Sequence, residues 1–175
     1  MINETDKQIL EIIQQDARIT NADIARQVNL APSAVLERVR KLEERGLIRG
    51  YSADIDPRQV GFGLTVFVSV RTSDCAKVEG ALSAIPEVLE VHDVAGEDCY
   101  LLKVRTKDTE ELAKLLREKI KPIPNVLGTR TTVVLKTFKE TTALPLDRID
   151  TGGGAKQKRK DGKSKNVADQ LLIEE

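Results

Sequence analysis

The side chains of this chain that are best arranged for chemistry lie on one short segment near the N-terminus. Residues 31–50 contain three anions and five cations, the cations being Arg38, Arg40, Lys41, Arg45 and Arg49. On a helix, successive residues rotate by about 100°, so this segment has a polar face opposite an apolar edge. The polar face consists of Ser33, Glu37, Arg40 and Lys41, flanked by Ala34 and Arg38. Small residues followed by cations suit a helix whose first turn meets base edges while Arg and Lys reach phosphates.

The same charge pattern has a second interpretation. Charged residues on an exposed helix face are usually solvated, and a three-helix module of this kind is also compatible with a role in protein interaction alone. The pattern by itself therefore favours DNA binding without requiring it.

Residues suited to catalysis or metal binding are scarce. The chain has one histidine, His92, and two cysteines, Cys75 and Cys99, which lack metal-ligand spacing. Both cysteines are expected to be reduced, as in a cytosolic protein. His92 lacks a partner triad, which favours a structural or interface role. We therefore expect no enzyme activity, no cofactor and no metal.

Three helical patterns position the charged face. The first begins at the cap residue Asn3, and the second begins at Thr20, with an acid three residues after each cap. Pro32 occupies the first position of the third helix, which ends near Arg45 at Gly46. Two short helices joined by a turn of about three residues, with an earlier helix packed across them, form a helix-turn-helix.

A second region, residues 62–138, alternates strand-like and helix-like segments. Its order is βαββαβ, which is typical of the ferredoxin-like sandwich, four antiparallel strands with two helices on one face. If Val66 and Val68 point to the helices, Phe67 and Ser69 point to the uncovered face. An open sheet face in so small a domain predicts dimerisation.

Composition limits the remaining possibilities. The 28 cations and 28 anions balance, which disfavours a strongly basic DNA-packing protein. No stretch reaches 18 apolar residues and the N-terminus has no cationic leader pattern, so we expect a cytoplasmic protein without a membrane span. From Thr151 the chain reads TGGGAKQKRKDGKSK, which has almost no apolar residue, so we expect the extension to be disordered from there. Its cations could add non-specific phosphate contacts.

Taken together, these segments resemble the leucine-responsive/asparagine-regulator (Lrp/AsnC) family of prokaryotic transcription factors. The similarity covers about residues 3–140 and includes both predicted domains in order. Its most specific parts are the helix pair ending in LEERGLIRGY and the glycine turn ahead of YLLKVR. The resemblance implies an α+β protein with an N-terminal winged helix-turn-helix domain and a C-terminal ferredoxin-like domain.

The family resemblance also implies partners. Double-stranded DNA is expected at the helix-turn-helix, about residues 21–40. A homodimer is expected through the C-terminal domain, with further assembly to a tetramer or octamer. A small-molecule effector, an amino acid or a related compound, is expected between dimers at the glycine turn. The residues of that turn are Gly96, Glu97, Asp98 and Cys99.

Two positions depart from the family pattern. Many members have an aspartate where this chain has Cys99, and here the acid falls one residue earlier, at Asp98. Asp98 could take over the contact with an effector's ammonium group, or the chain could bind a different ligand or none. At Ala31, relatives usually have a serine that caps the recognition helix, and Pro32 partly compensates by presetting the first turn.

The predicted domains are residues 1–50 (helix-turn-helix), 51–61 (linker), 62–140 (ferredoxin-like dimerisation and effector-binding domain) and 141–175 (extension, disordered from about 151). The predicted function is a sequence-specific transcriptional regulator whose assembly and DNA affinity respond to a small effector. The alternatives are a metabolic sensor or enzyme on a ferredoxin-like domain, and an architectural protein that wraps DNA with little sequence preference.

Overall fold

Three short helices with well-defined caps make up the N-terminal part of the computed structural model, which describes residues 2–74 and 77–149. They are α1 (Glu4–Gln15), α2 (Asn21–Val28) and α3 (Pro32–Glu44). Asn3 and Asp6 form a capping box at α1, and the Thr20 hydroxyl accepts from the Asp23 amide at α2. The predicted starts of all three helices and the end of α3 at Arg45 are confirmed.

The apolar residues of these helices enclose a small core. Its buried members are Ile9, Ile24, Ala25, Val35, Val39 and Leu42. The predicted inner edge of α3 is therefore confirmed. Residues 45–63, which follow α3, contain no strand.

The second unit, residues 53–141, contains the predicted βαββαβ order. The elements are β1 (Leu64–Thr72), α4 (Glu79–Ser83), β2 (Val88–Asp93), β3 (Tyr100–Thr106), α5 (Thr109–Leu115) and β4 (Val126–Val133), with α5 continued by a π-helical turn, Leu116–Ile120. The sheet order is β2-β3-β1-β4, with every neighbouring pair antiparallel. This is the ferredoxin-like arrangement that the sequence predicts.

The two faces of the sheet differ as expected. Val66, Val68 and Val70 are fully buried and share a core with Leu82 and Leu112 of the two helices. The alternate residues of β1 are half-buried or exposed on the opposite face. Within this unit, neither α4 nor α5 packs on that opposite face.

The predicted extension, residues 141–175, has regular structure in its first part. Residues 142–149 group with the N-terminal helices rather than with the sheet. Leu146 is buried, and Leu146–Arg148 form a 3-10 turn. The expected disorder from about residue 151 concerns residues that lie outside the described part of the chain.

Candidate DNA-binding surface and effector site

The turn between α2 and α3 sets the direction of α3. Asn29 ends α2 in the left-handed conformation, at φ 54°, and the Leu30 amide donates to the Ala25 carbonyl. Asparagine tolerates this backbone conformation better than most residues. Ala31 then provides no side-chain cap, and Pro32 opens α3 as predicted.

The structure brings the predicted DNA-contacting residues onto one side of α3. Four of them are exposed and two are half-buried. The exposed residues are Ser33, Glu37, Arg40 and Lys41, and the half-buried ones are Ala34 and Arg38. The surface that they form, here called the α3 face, lies opposite the buried Val35, Val39 and Leu42.

The cations of the α3 face are held by carboxylates of the same unit. Lys41 Nζ lies 2.7 Å from Glu37 Oε1, and Arg40 Nε lies 2.9 Å from Glu44 Oε1. The hydrogen bond from Lys41 lowers the pKa of the Glu37 carboxyl. Because both pairs are exposed, each contributes little to stability and leaves its cation able to exchange to a phosphate.

Arg38 has a different partner from the other two cations. Its Nη1 lies 2.8 Å from Oδ1 of Asp6 on α1, and only 11% of the Asp6 side chain is exposed. This ion pair connects α1 directly to α3, so Arg38 positions the α3 face as well as belonging to it. This role of Asp6 was not predicted from the sequence. The sequence feature that could have indicated this role is the position of Asp6 three residues before Ile9, which places the acid on the apolar face of α1.

The chain leaves α3 through a closed C-terminal turn. Gly46 has φ +69°, and the Leu47 amide donates to the Leu42 carbonyl. The Tyr51 hydroxyl then donates to Glu43 Oε1 at 2.9 Å. Partial burial and the neighbouring Glu43 carboxylate raise the pKa of Tyr51 to about 12.

The predicted effector residues form the connection between β2 and β3. The Val94 amide donates to the Cys99 carbonyl, and the Cys99 amide donates to the Val70 carbonyl, which closes the turn against β1. Gly96 has φ +153°, and a Cβ built there meets nothing within 4 Å. The Gly96 backbone is therefore open to a ligand on its exposed side.

The acid of this turn has an ionic partner within the chain. Asp98 Oδ2 lies 2.6 Å from Arg130 Nη2 on β4, and 17% of the Asp98 side chain is exposed. An effector ammonium group would therefore meet an Asp98 carboxylate that is already paired. The sequence pattern indicated Asp98 as a ligand but gave no sign of Arg130.

The expectation of reduced cysteines is wrong for Cys99, which is disulfide-bonded. Composition alone could not show that the fold places Cys99 beside the end of β1, through its hydrogen bond to Val70. Cys75, the other cysteine of the chain, lies outside the described residues.

The open sheet face carries an ionic network together with apolar side chains. Lys103 pairs with Glu90 at 3.0 Å and with Glu140, and Arg105 pairs with Glu140 at 2.7 Å. Hydrogen bonding to Glu140 and Glu90 raises the pKa of Lys103. The same contact from Lys103 lowers the pKa of Glu140. His92 lies at the margin of this network, with its Nε2 3.1 Å from Glu90 Oε2.

Other kinds of site are absent from the part of the chain that the structure describes. Among residues 2–74 and 77–149, no group of three or more His, Cys, Asp and Glu side chains could hold a metal ion. Within the same residues, no helix combines the length and apolarity that a membrane crossing requires.

The two units define the class of protein: a helix-turn-helix DNA-binding regulator with a sensor domain attached. Residues 2–49 match the "Winged helix-turn-helix DNA-binding" family, and residues 65–144 match the "Lrp/AsnC ligand binding domain". The chain belongs to the Lrp/AsnC family of transcriptional regulators, which are not enzymes.

Individual relatives agree with this assignment. The chain is 40% identical over 147 residues to the HTH-type transcriptional regulator FL11 of Pyrococcus horikoshii, covering 83% of this chain and 97% of the relative. It is 36% identical over 148 residues to the leucine-responsive regulatory protein of Escherichia coli, covering 82% and 90%. A solved transcriptional regulator of Neisseria meningitidis in complex with L-Met superposes with a TM-score of 0.80 at 31% identity, covering 84% and 98%.

Proposed function

We propose that the α3 face reads a specific DNA sequence in the major groove. Ser33, Ala34 and Glu37 lie in the first half of α3, where a recognition helix meets base edges. Arg38, Arg40 and Lys41 follow, where cations reach phosphates. The observation that carries this proposal is the exposure of Ser33, Glu37, Arg40 and Lys41 on a helix whose opposite edge is buried.

The ion pairs of the α3 face favour a specific regulator over a general DNA-wrapping protein. Lys41 and Arg40 each lie on a carboxylate of the same helix. Contact with a phosphate requires these pairs to separate, which lowers the affinity for an arbitrary duplex. Base contacts at a matching site provide the additional free energy.

We further propose that a small molecule, most simply an amino acid, binds at Gly96, Glu97, Asp98 and Cys99. The open space beside Gly96 supports this, as does the complex of the Neisseria meningitidis relative with L-Met. The Asp98–Arg130 pair offers one group for an ammonium and one for a carboxylate. The disulfide removes the Cys99 thiol from any direct role in ligation.

A homodimer that packs the two open sheet faces together, and assembles further to a tetramer or octamer, would link the two sites. A two-fold dimer presents two α3 helices to half-sites about 34–36 Å apart. An effector that prefers one arrangement of dimers then shifts DNA occupancy by its differential affinity. We place the protein in the cytoplasm because its target is DNA, although a disulfide such as that of Cys99 is uncommon there.

The DNA-binding proposal is tested with Arg40→Ala and Lys41→Ala. We expect each variant to bind an operator, selected from a random pool by the purified chain, about three- to tenfold more weakly, because each substitution removes one cation from the phosphate backbone. Gel-shift titration measures the affinity, and circular dichroism checks that the melting temperature is unchanged.

The matched control is Arg117→Ala, which removes an exposed cation from the other unit. It should bind the operator as the parent does. If both α3 variants also retain the parental affinity, α3 does not contact the DNA. Competition with random duplex identifies an architectural protein, which would show no preference for the operator.

A further inference from the structure

One large apolar side chain of α3, that of Leu36, is exposed instead of packed in the helical core. Val35, Val39 and Leu42 are buried along the inner edge of α3, whereas 56% of Leu36 is exposed. An exposed leucine forgoes the free energy that its burial would provide. Single exposed leucines are common on protein surfaces, so the position of Leu36 on α3, and not its exposure alone, is what distinguishes it.

Leu36 lies in the second turn of α3, at the margin of the α3 face. Residues four apart on a helix are neighbours, so Leu36 has Pro32 one turn before it and Arg40 one turn after it. Pro32 is exposed like Leu36, and we call these two residues the apolar strip. The apolar strip runs beside the exposed Ser33 and Glu37, in the N-terminal half of α3. This is the half that a recognition helix places against base edges.

The charged side chains next to the apolar strip already have partners in the free protein. Arg40 pairs with Glu44 at 2.9 Å, and Lys41 pairs with Glu37 at 2.7 Å. Each of these side chains has to leave an ion pair before it bonds to DNA, which offsets part of the free energy gained. The exposed part of Leu36 displaces only water, and the release of water from an apolar surface is favourable. A contact made by Leu36 therefore adds affinity without breaking an ion pair.

The major groove offers an apolar group that suits a leucine. Each base pair presents its own set of hydrogen-bond donors and acceptors there, and thymine adds a C5-methyl group. Adenine, guanine and cytosine carry no such methyl group. The Leu36 side chain forms no hydrogen bonds, so it distinguishes base pairs only through apolar contact. A leucine on the groove side of α3 therefore favours a base pair that contains thymine.

We propose that Leu36 is a specificity-determining residue, which packs on the C5-methyl group of a thymine in the half-site bound by α3. This inference rests on the proposed function and names one of the base contacts that the function requires. On binding, the methyl group and the exposed part of Leu36 both leave water. A base without the methyl group at the same position loses this apolar contact, and the protein discriminates against it.

Replacement of thymine by deoxyuridine tests this contact, because the two bases pair identically with adenine and differ only in the C5-methyl group. Each thymine of the selected operator is replaced singly, and gel-shift titration measures the affinity of the full chain. We expect replacement at one thymine of the half-site to weaken binding of the parent about three- to fivefold, the effect of one buried methyl group. Leu36→Ala should bind the unmodified operator more weakly than the parent does, and it should show no further loss at that thymine.

The matched control is Leu89→Ala, which truncates a leucine of the sheet unit that is 54% exposed. This variant should bind the operator as the parent does and keep the loss at the same thymine. Alanine is favourable in helices and Leu36 is exposed, so Leu36→Ala should also retain the parental melting temperature. Circular dichroism checks that both variants are folded.

Equal losses in the parent and in Leu36→Ala at every thymine would overturn this inference, as would a parent that no deoxyuridine replacement weakens. In both cases the proposed function stands if Arg40→Ala and Lys41→Ala still weaken operator binding, and it fails together with the inference if they do not. A parent chain that selects no operator from the random pool overturns both.

Discussion

A single carboxylate, Asp6, both caps α1 and connects α1 to α3 in the DNA-binding unit. It completes the capping box with Asn3, and it also receives Arg38 at 2.8 Å. The capping role was predictable because it depends on residues three apart. The ion pair was not, because it depends on how α1 crosses α3, thirty-two residues later in the chain.

Replacing Asp6 by Asn tests this positioning role. The amide keeps an oxygen for the Asn3 backbone but loses the charge that Arg38 pairs with. We expect the N-terminal unit to lose about 1–2 kcal/mol of unfolding free energy, below the range for a fully buried pair because Arg38 is partly exposed. The measurement is thermal melting of the helical circular dichroism signal.

Glu37→Gln is the control, since it breaks a pair in which both side chains are largely exposed. It should leave the melting temperature almost unchanged. Equal loss of stability in the two variants would show that burial of Asp6 does not distinguish the pairs.

At the scale of elements, the β2–β3 turn combines a predictable feature with an unpredictable one. Gly96 indicates a turn from sequence alone, and its φ of +153° agrees with this. The Asp98–Arg130 pair follows from the sheet order, which brings β4 next to β1 and within reach of the turn. The residues of the turn carry no information about the order of the strands in the sheet. The turn could therefore be predicted from the sequence, but the Asp98–Arg130 pair could not.

Gly96 variants test the effector proposal. Gly96→Ala and Gly96→Trp share the same backbone strain, about 1–3 kcal/mol, but only Trp fills the open space. In a thermal-shift screen with the amino acids, we expect an effector to raise the melting temperature of the parent and of Gly96→Ala. Gly96→Trp should fold and show no such rise.

An unaltered response of Gly96→Trp would show that the ligand binds elsewhere. If no amino acid shifts the melting temperature of the parent, the proposed effector class is wrong.

At the scale of the whole molecule, the sheet face opposite α4 and α5 is the surface through which we expect the chain to assemble. The alternating pattern of β1 was sufficient to predict this face. It did not predict the ionic network of Lys103, Arg105, Glu90 and Glu140, because the network joins three separate segments. A partner subunit on this face would therefore meet charged groups that are already satisfied, next to apolar Phe67.

Phe67→Asp tests the assembly. A charge near the centre of this face should be costly to bury in a dimer, so we expect the variant to sediment as a monomer at micromolar concentration. Sedimentation velocity measures the state, and Leu36→Asp, an exposed leucine of the other unit, should leave it unchanged. A Phe67→Asp chain that sediments like the parent would exclude this face as the interface.

Two hydrogen bonds join the Gln14 side-chain amide of α1 to the backbone of Leu144, and this contact, here called the Gln14–Leu144 junction, has a consequence for biosynthesis. Its two residues are 130 positions apart, so the whole sheet unit is inserted between two parts of the helical unit. The helices emerge from the ribosome first, yet the junction can close only after the sheet unit and Leu144 have been translated. Bringing together residues so far apart in the sequence costs conformational entropy and is slow. We therefore expect the junction to form late, after the cores of the helical unit and the sheet unit.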